Sequence, residues 1–157
     1  MDQQVHGTCV AIDGAGVLLR GPAGRGKSDL ALRLIDGGAV LVADDRVSLE
    51  ARAGDLVASA PDALAGLLEV RGVGIERLEA AARATVRLVV DLVARETVER
   101  LPEPAVAELC GVALPLMRLD PFEASAPAKL RLAVKAACHG IIPSASGIIP
   151  RVSDKDP

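Results

Sequence analysis

A mixed α/β fold, with helices flanking a β-sheet, is predicted for this chain of 157 residues by three observations. The apolar run Val17-Leu18-Leu19 leads directly into the glycine-rich stretch GPAGRGKSD at residues 21–29, and an amphipathic helical run follows it. Strand-like segments recur at residues 39–43 and 83–94, with a hairpin pattern at 47–59 between them. Half the residues are hydrophobic, yet Phe122 is the only aromatic, so the core must be assembled from Val, Leu, Ile and Ala. A chain of this length forms one domain and buries roughly 70% of its unfolded surface, without a disulfide or metal staple.

The elements follow in order. Residues 5–12 (VHGTCVAI) are predicted as a strand, Asp13-Gly14 as a hairpin turn and residues 17–20 as the returning strand. The next loop has Gly21, four intervening residues, Gly26, Lys27 and Ser28, which is the Walker A spacing. Gly21, Gly24 and Gly26 are expected to take φ > 0 and turn their N–H groups into a concave nest for anionic oxygens. Lys27 offers a mobile charge for the outer phosphates of a nucleotide, and Ser28 a hard oxygen for Mg²⁺. The residues expected to hold the nucleotide are Gly21, Gly24, Arg25, Gly26, Lys27, Ser28 and Asp29. Leu30, Ala31, Leu34 and Ile35 recur at helical spacing up to Gly37-Gly38.

Residues 39–43 then read as a strand that ends at Asp44-Asp45, and in open α/β sheets the carboxyl ends of strands are where ligands bind. VSLEARAGDLVAS (47–59) reads as a hairpin around Ala53-Gly54-Asp55, GLLEVRGVGIERL (66–78) follows, and residues 83–94 are strand-like. A charged segment around 96–103 and a proline-rich passage at 102–121 carry no assigned element, and a helix is expected over residues 126–138. The predicted organisation is one domain over residues 1–140 and a flexible tail over 141–157, where proline and serine are frequent.

Charge and cysteine content exclude several functions. A net charge of −3 with no basic stripe argues against a nucleic-acid partner. Cys9, Cys110 and Cys138 are odd in number and far apart, so reduced thiols are expected, as in the cytoplasm. The polar start and the short apolar runs offer neither a targeting signal nor a membrane span.

Nucleotide binding alone does no chemistry; a base and a second metal anchor are needed. Asp44, Asp45, Glu69 and Asp91 are the candidates. Asp44 and Asp45 follow Lys27 by 17 and 18 residues, the length of one helix and one returning strand. Neighbours leaving a strand point to opposite sides, so one of the two faces the site and the other is structural. Asp91 reads equally as a Walker B carboxylate or as the polar end of a strand.

The run HGTCVAIDGAGVLLRGPAGRGKSDLALRLIDGGAVLVADDRV (6–47) resembles the catalytic domain of the HPr kinase/phosphorylase family, and LLEVRGVGI (67–75) resembles that family's signature segment. The resemblance extends over about residues 5–140 and implies a P-loop kinase fold related to phosphoenolpyruvate carboxykinase. It implies a Mg²⁺-dependent protein serine kinase that transfers phosphate from ATP to a serine of an HPr-type phosphocarrier protein and can remove it by phosphorolysis. On this resemblance Lys27 is the P-loop lysine, Ser28 and Glu69 anchor magnesium, and Asp45 is the proton acceptor. His6 is the histidine upstream of the P-loop, expected across the hairpin from Gly21. Arg71 shares the signature segment, and Arg100 falls where the family has a catalytic arginine. The family is hexameric, which implies a homo-oligomer, and longer members carry an extra amino-terminal domain that this short form is expected to lack. The passage LPLMRLDPFEAS (114–125) keeps Arg118 but lacks the glycine and second arginine of the family's phosphorolysis loop, so forward transfer is expected to dominate. Two alternatives stand beside this reading: a related phosphotransferase with another acceptor, and a non-catalytic nucleotide-binding regulator.

Overall fold

The structure, a computed structural model, describes residues 2–139 and the backbone of two strands at 141–144 and 147–150. Strands β1 (Asp2–His6), β2 (Thr8–Ile12) and β3 (Ala15–Arg20) precede helix α1 (Lys27–Asp36). Strands β4 (Val40–Ala43), β5 (Arg46–Arg52) and β6 (Asp55–Ser59) come next, then the separate hairpin of β7 (Leu67–Val70) and β8 (Gly74–Arg77). Strands β9 (Ala84–Leu92), β10 (Ala105–Leu109) and β11 (Val112–Leu119) lead to helix α2 (Ala126–Cys138). Within the expected tail, β12 (Ile141–Ser144) and β13 (Gly147–Pro150) pair antiparallel, and the rest of it lies outside the described residues.

The mixed α/β architecture expected from the sequence is the one observed. The main sheet has the order β1-β5-β6-β9-β3-β2-β4, with the β10–β11 hairpin joined to β9 through β11. Strand β9 organises it. One edge of β9 runs parallel to β3, while the other pairs antiparallel with β6 at Ala84 and Thr85 and then parallel with β11 from Val89 to Leu92. Its sequence, ATVRLVVDL, is β-branched and apolar along most of its length because both of its faces are buried.

Alternation along β3 sorts its side chains into two cores. Val17 and Leu19 meet Leu30, Ala31 and Leu34 of α1 and Leu130 of α2 on one face. Leu18 faces the opposite cluster with Leu49 of β5 and Leu56 of β6, around which the sheet curls. Helix α1 buries Leu30, Ala31 and Leu34, the residues whose spacing predicts it.

Two features depart from the sequence expectations. The strand expected over residues 5–12 is two strands, because the chain changes partners at Gly7: β1 pairs with β5 and β2 with β3. A Cβ on Gly7 would stand 2.8 Å from the carbonyl oxygen of Leu19, so only glycine allows the crossing. The proline-rich passage is the β10–β11 hairpin. Its turn, Cys110-Gly111, has φ of 52° and 79°, as do the Asp13-Gly14 and Ala53-Gly54 turns at 50°/84° and 51°/85°, the signs of type I′ turns that suit twisted hairpins. The two-residue turn makes Leu109 and Val112 the hydrogen-bonded pair, so Val106 and Pro115 fall at a non-bonded pair where the missing N–H loses nothing to β10. Among the described residues no helix is long and apolar enough to cross a membrane.

Cys9 is fully buried in β2, and burial pushes its thiol up to about 12 from 9.0. We predict that a thiol reagent labels the exposed Cys138 first and the half-buried Cys110 more slowly, with Cys9 labelled only on unfolding. The unfolded thiol ionises near pH 9 and the folded one near 12, so folding stability falls as pH rises across that window. Replacing Cys9 with Ala should remove that alkaline decline in urea titrations at successive pH values.

Candidate active site

Strand β3 delivers the chain into the glycine loop at its carboxyl end. Gly24 and Gly26 are left-handed, with φ of 80° and 89°. Gly21 is not, contrary to expectation; its requirement is space, since a Cβ there would stand 3.3 Å from Cγ of Arg25 and 3.4 Å from Cβ of Leu92. Gly26 is the N-cap of α1 and offers no side chain, so the first N–H groups of the helix are open to an anion. Asp29 lies in the first turn and pairs with Arg33 at 3.1 Å. Lys27 is buried and donates from Nζ to the carbonyl oxygens of Gly21 at 2.7 Å and Pro22 at 3.1 Å. Burial lowers its pKa, against the opposing attraction of Asp44 and Asp45. The ammonium is thus held inside the loop that phosphates would fill.

The two adjacent aspartates part company. Asp44 is buried, and its Oδ1 accepts hydrogen bonds from the hydroxyls of Thr8 at 2.8 Å and Ser28 at 2.9 Å. Its Oδ2 accepts from the backbone N–H of Glu69 at 3.3 Å. Asp45 has φ of 74°, a left-handed conformation that Asp tolerates better than most side chains, and its carboxylate is 66% exposed. Its Oδ1 lies 3.8 Å from Nδ1 of His6. The backbone around the pair is held by Gly7 N–H to the carbonyl of Asp45 at 3.2 Å and Arg46 N–H to that of Asp44 at 2.8 Å. His6 reaches this place through β1, where it stands opposite Arg46 of β5, and not through the β2–β3 hairpin that was expected to set it across from Gly21.

The remaining candidates are distributed around this centre. Glu69 is exposed on β7 opposite Ile75, and its main chain is tied to Asp44; Arg71 lies exposed just beyond it. Asp91 takes a two-pronged ion pair from Arg20, at 2.8 Å and 3.1 Å, which clamps the ends of β3 and β9 beneath the loop and leaves its carboxylate engaged. Arg118 stands beside Asp91 in the β11–β9 register. Arg100 is exposed in the connection before β10, and among the described residues it makes no ion pair. His139 is the C-cap of α2. A groove of about 300 Å³ between residues 97–105, β11 and α2 is lined by Leu88, Met117 and Leu132, but by no residue of the glycine loop.

Ser28 and Asp44 bring a hydroxyl and a carboxylate oxygen to 2.9 Å of each other at the start of α1, and the main chain of Glu69 is bonded to the same carboxylate. Mg²⁺ at nucleotide sites takes one or two carboxylates and completes its shell with phosphate and water, a demand that this donor set fits. Thr8 is the residue that sequence reasoning missed. Its one signal is a hydroxyl at the head of the apolar run TCVAI, a polar group that needs a partner once buried.

Residues 1–138 match the family described as HPr Serine kinase C-terminal domain. The chain belongs to that family. It is 36% identical to the HPr kinase/phosphorylase of Acidovorax sp. (strain JS42) over 157 residues, 92% of this chain and 48% of that protein. A 74-residue stretch is 46% identical to the HPr kinase/phosphorylase of Clostridium tetani (strain Massachusetts / E88), covering 47% of this chain and 24% of that protein. The chain therefore spans about half the length of the first relative and about a quarter of the second. Among solved structures, the Hpr(Ser) kinase/phosphatase from Coxiella burnetii aligns with a TM-score of 0.76 at 28% identity, over 85% of this chain and 94% of that one. The curled mixed sheet with few helices is thus the family's catalytic-domain fold.

We predict that Thr8→Val destabilises the chain by about 1–3 kcal/mol in urea unfolding, since Asp44 stays buried and loses a donor. Thr8→Ser keeps the hydroxyl and should recover most of that loss.

Proposed function

We propose that this domain is a Mg²⁺-dependent protein serine kinase that transfers the terminal phosphate of ATP to a serine of an HPr-type phosphocarrier protein in the cytoplasm. The observation that carries the reading is the division of labour between Asp44 and Asp45. One carboxylate is buried and bonded to Ser28 at the phosphate loop, while its neighbour is held in an uncommon backbone conformation with its oxygens open to an incoming substrate. Adjacent residues thereby reach the nucleotide side and the acceptor side of one reaction centre. Family membership supports the same reading, as do relatives named HPr kinase/phosphorylase.

In this mechanism the phosphates of ATP rest on the amides of residues 24–28 and on the positive end of α1. Lys27 exchanges its two loop carbonyls for phosphate oxygens. Ser28 and Glu69, with Asp44 beside them, would hold Mg²⁺, which would supply charge neutralisation on the outer phosphates. Asp45 accepts the proton of the acceptor serine as its oxygen bonds to the γ-phosphorus and the bond to the ADP oxygen breaks. His6, 3.8 Å away, steadies the carboxylate through its change of charge. Arg100 would act as the family's catalytic arginine only if its connection carries it inward from its exposed position.

Forward transfer is favoured over phosphorolysis by the loop that follows β11. Residues 114–125 keep Arg118 but lack the glycine and second arginine of the family's phosphorolysis loop, so the cations that an attacking inorganic phosphate requires are reduced there. Homo-oligomerisation belongs to the proposal through family membership alone.

Three outcomes test this reading. Incubation with MgATP and the phosphocarriers of the source organism should add one phosphate mass to a carrier serine by intact-mass spectrometry; nucleotide bound without transfer would favour a regulatory domain instead. Asp45→Asn should lower transfer by on the order of 10² or more with nucleotide affinity retained, whereas Asp44→Asn should act on stability and Mg²⁺ dependence. Equal rates of phosphorylation and of phosphate-dependent dephosphorylation would refute the preferred direction.

A further inference from the structure

Phe122 is the only aromatic side chain in the protein, and it is not in the core: it is 62% exposed. An aromatic ring is the largest apolar group that this chain possesses, and leaving it in water forgoes the burial that normally decides its place. Its position is nonetheless well defined. Cε1 and Cζ of the ring lie 3.0 and 3.1 Å from where a Cβ on Gly26 would stand, so the ring touches the backbone of the phosphate loop itself. Any side chain at 26 would collide with the ring, besides being strained at φ of 89°.

The segment carrying the ring is fastened to α1. Arg33, on the last turn of that helix, donates to the carbonyl oxygens of Pro121 and, at 3.4 Å, of Glu123. The same guanidinium pairs with Asp29 in the first turn. Pro121 is buried, the N–H of Phe122 donates to Oδ1 of Asp120 at 3.0 Å, and Glu123 pairs with Lys129 at 2.6 Å. Backbone on both sides of the ring is thus fixed to the helix whose amino end receives phosphate, while the ring stays open.

We propose that Phe122 is the stacking platform for the base of the bound nucleotide, a purine ring laid against the exposed phenyl. This rests on the nucleotide-binding reading above and adds the subsite that reads the base. A base joined through one ribose to phosphates on residues 24–28 is within reach of a ring that touches residue 26. The chain has no other Phe and no Tyr or Trp to stack, and the contact is indifferent to hydrogen-bonding edges, so ATP and GTP are both accepted.

The test compares ligands with and without a base. Binding of ATP, GTP and inorganic tripolyphosphate, each with Mg²⁺, is measured by calorimetry for the unmodified chain and for Phe122→Ala. The unmodified chain should bind both nucleotides more tightly than tripolyphosphate, and Phe122→Ala should weaken the nucleotides by about tenfold with tripolyphosphate within twofold. Phe122→Trp supplies an independent optical readout, because the chain has no other Trp and no Tyr. Its emission should be quenched by ATP and unchanged by tripolyphosphate. Equal weakening of all three ligands by Phe122→Ala would make the ring a support for loop shape and overturn the proposal, as would no weakening at all. If tripolyphosphate binds and the nucleotides bind no better, the stacking platform fails while the phosphate loop stands; if none binds the unmodified chain, both readings fall together.

Discussion

The carboxylate of Asp44 is the point on which the site depends. It is buried, and three separate parts of the chain donate to it: the start of β2 through Thr8, the start of α1 through Ser28, and β7 through the main chain of Glu69. A buried charge without partners is expensive, so each of those donors is needed and each is drawn to a common centre. The arrangement sets the distance between the glycine loop and the hairpin that carries Glu69. It also decides the fate of the next residue, for once Asp44 turns inward, the left-handed turn at Asp45 sends its carboxylate out beside His6. One buried acid thereby sets the position of its exposed neighbour.

The glycine loop and its flanks were legible because local chemistry demands them: an apolar strand, glycines at positions with positive φ and a helix with apolar residues on one face. The α2 helix was legible for the same reason, and Leu130 and Val134 bury its apolar stripe. Contacts across long stretches of sequence were not. Nothing in VHGTCVAI announces that Gly7 is a switch between two partner strands, since the reason is the nearby carbonyl of Leu19. Thr8 and Asp44 are 36 residues apart, and their hydrogen bond exists only once β2 and β4 lie side by side. The β10–β11 hairpin was hidden by its prolines, whose effect on a strand depends on which way the missing N–H would point, a property of register. The adjacency of Asp44 and Asp45 was plain, and strand alternation explained why they should differ; which one turned inward came from the resemblance and not from spacing.

The loop after β11 links binding chemistry to the far end of the fold. Arg33 joins α1 to residues 121–123, and Glu123 in turn pairs with Lys129 on α2 and with Arg95 beyond β9. Contacts of this exposed kind are individually weak, but they share one short segment and act on the same few degrees of freedom. The segment therefore moves with α1 and not as a free surface loop.

The central place of β9 has a consequence for the chain as it is made. Strand β3, which leads into the glycine loop, finds its parallel partner only when Thr85 can meet Ala15, seventy residues later (85 − 15). A ribosome adding about 5–20 residues per second leaves an interval of several seconds in which β2 and β3 have emerged and one edge of β3 has no neighbour. During that time the edge is open to pairing with other nascent chains. The loop and the first helix are thus synthesised early and secured late, and a factor that shields strand edges on the ribosome would have its greatest effect on this protein before residue 92 appears.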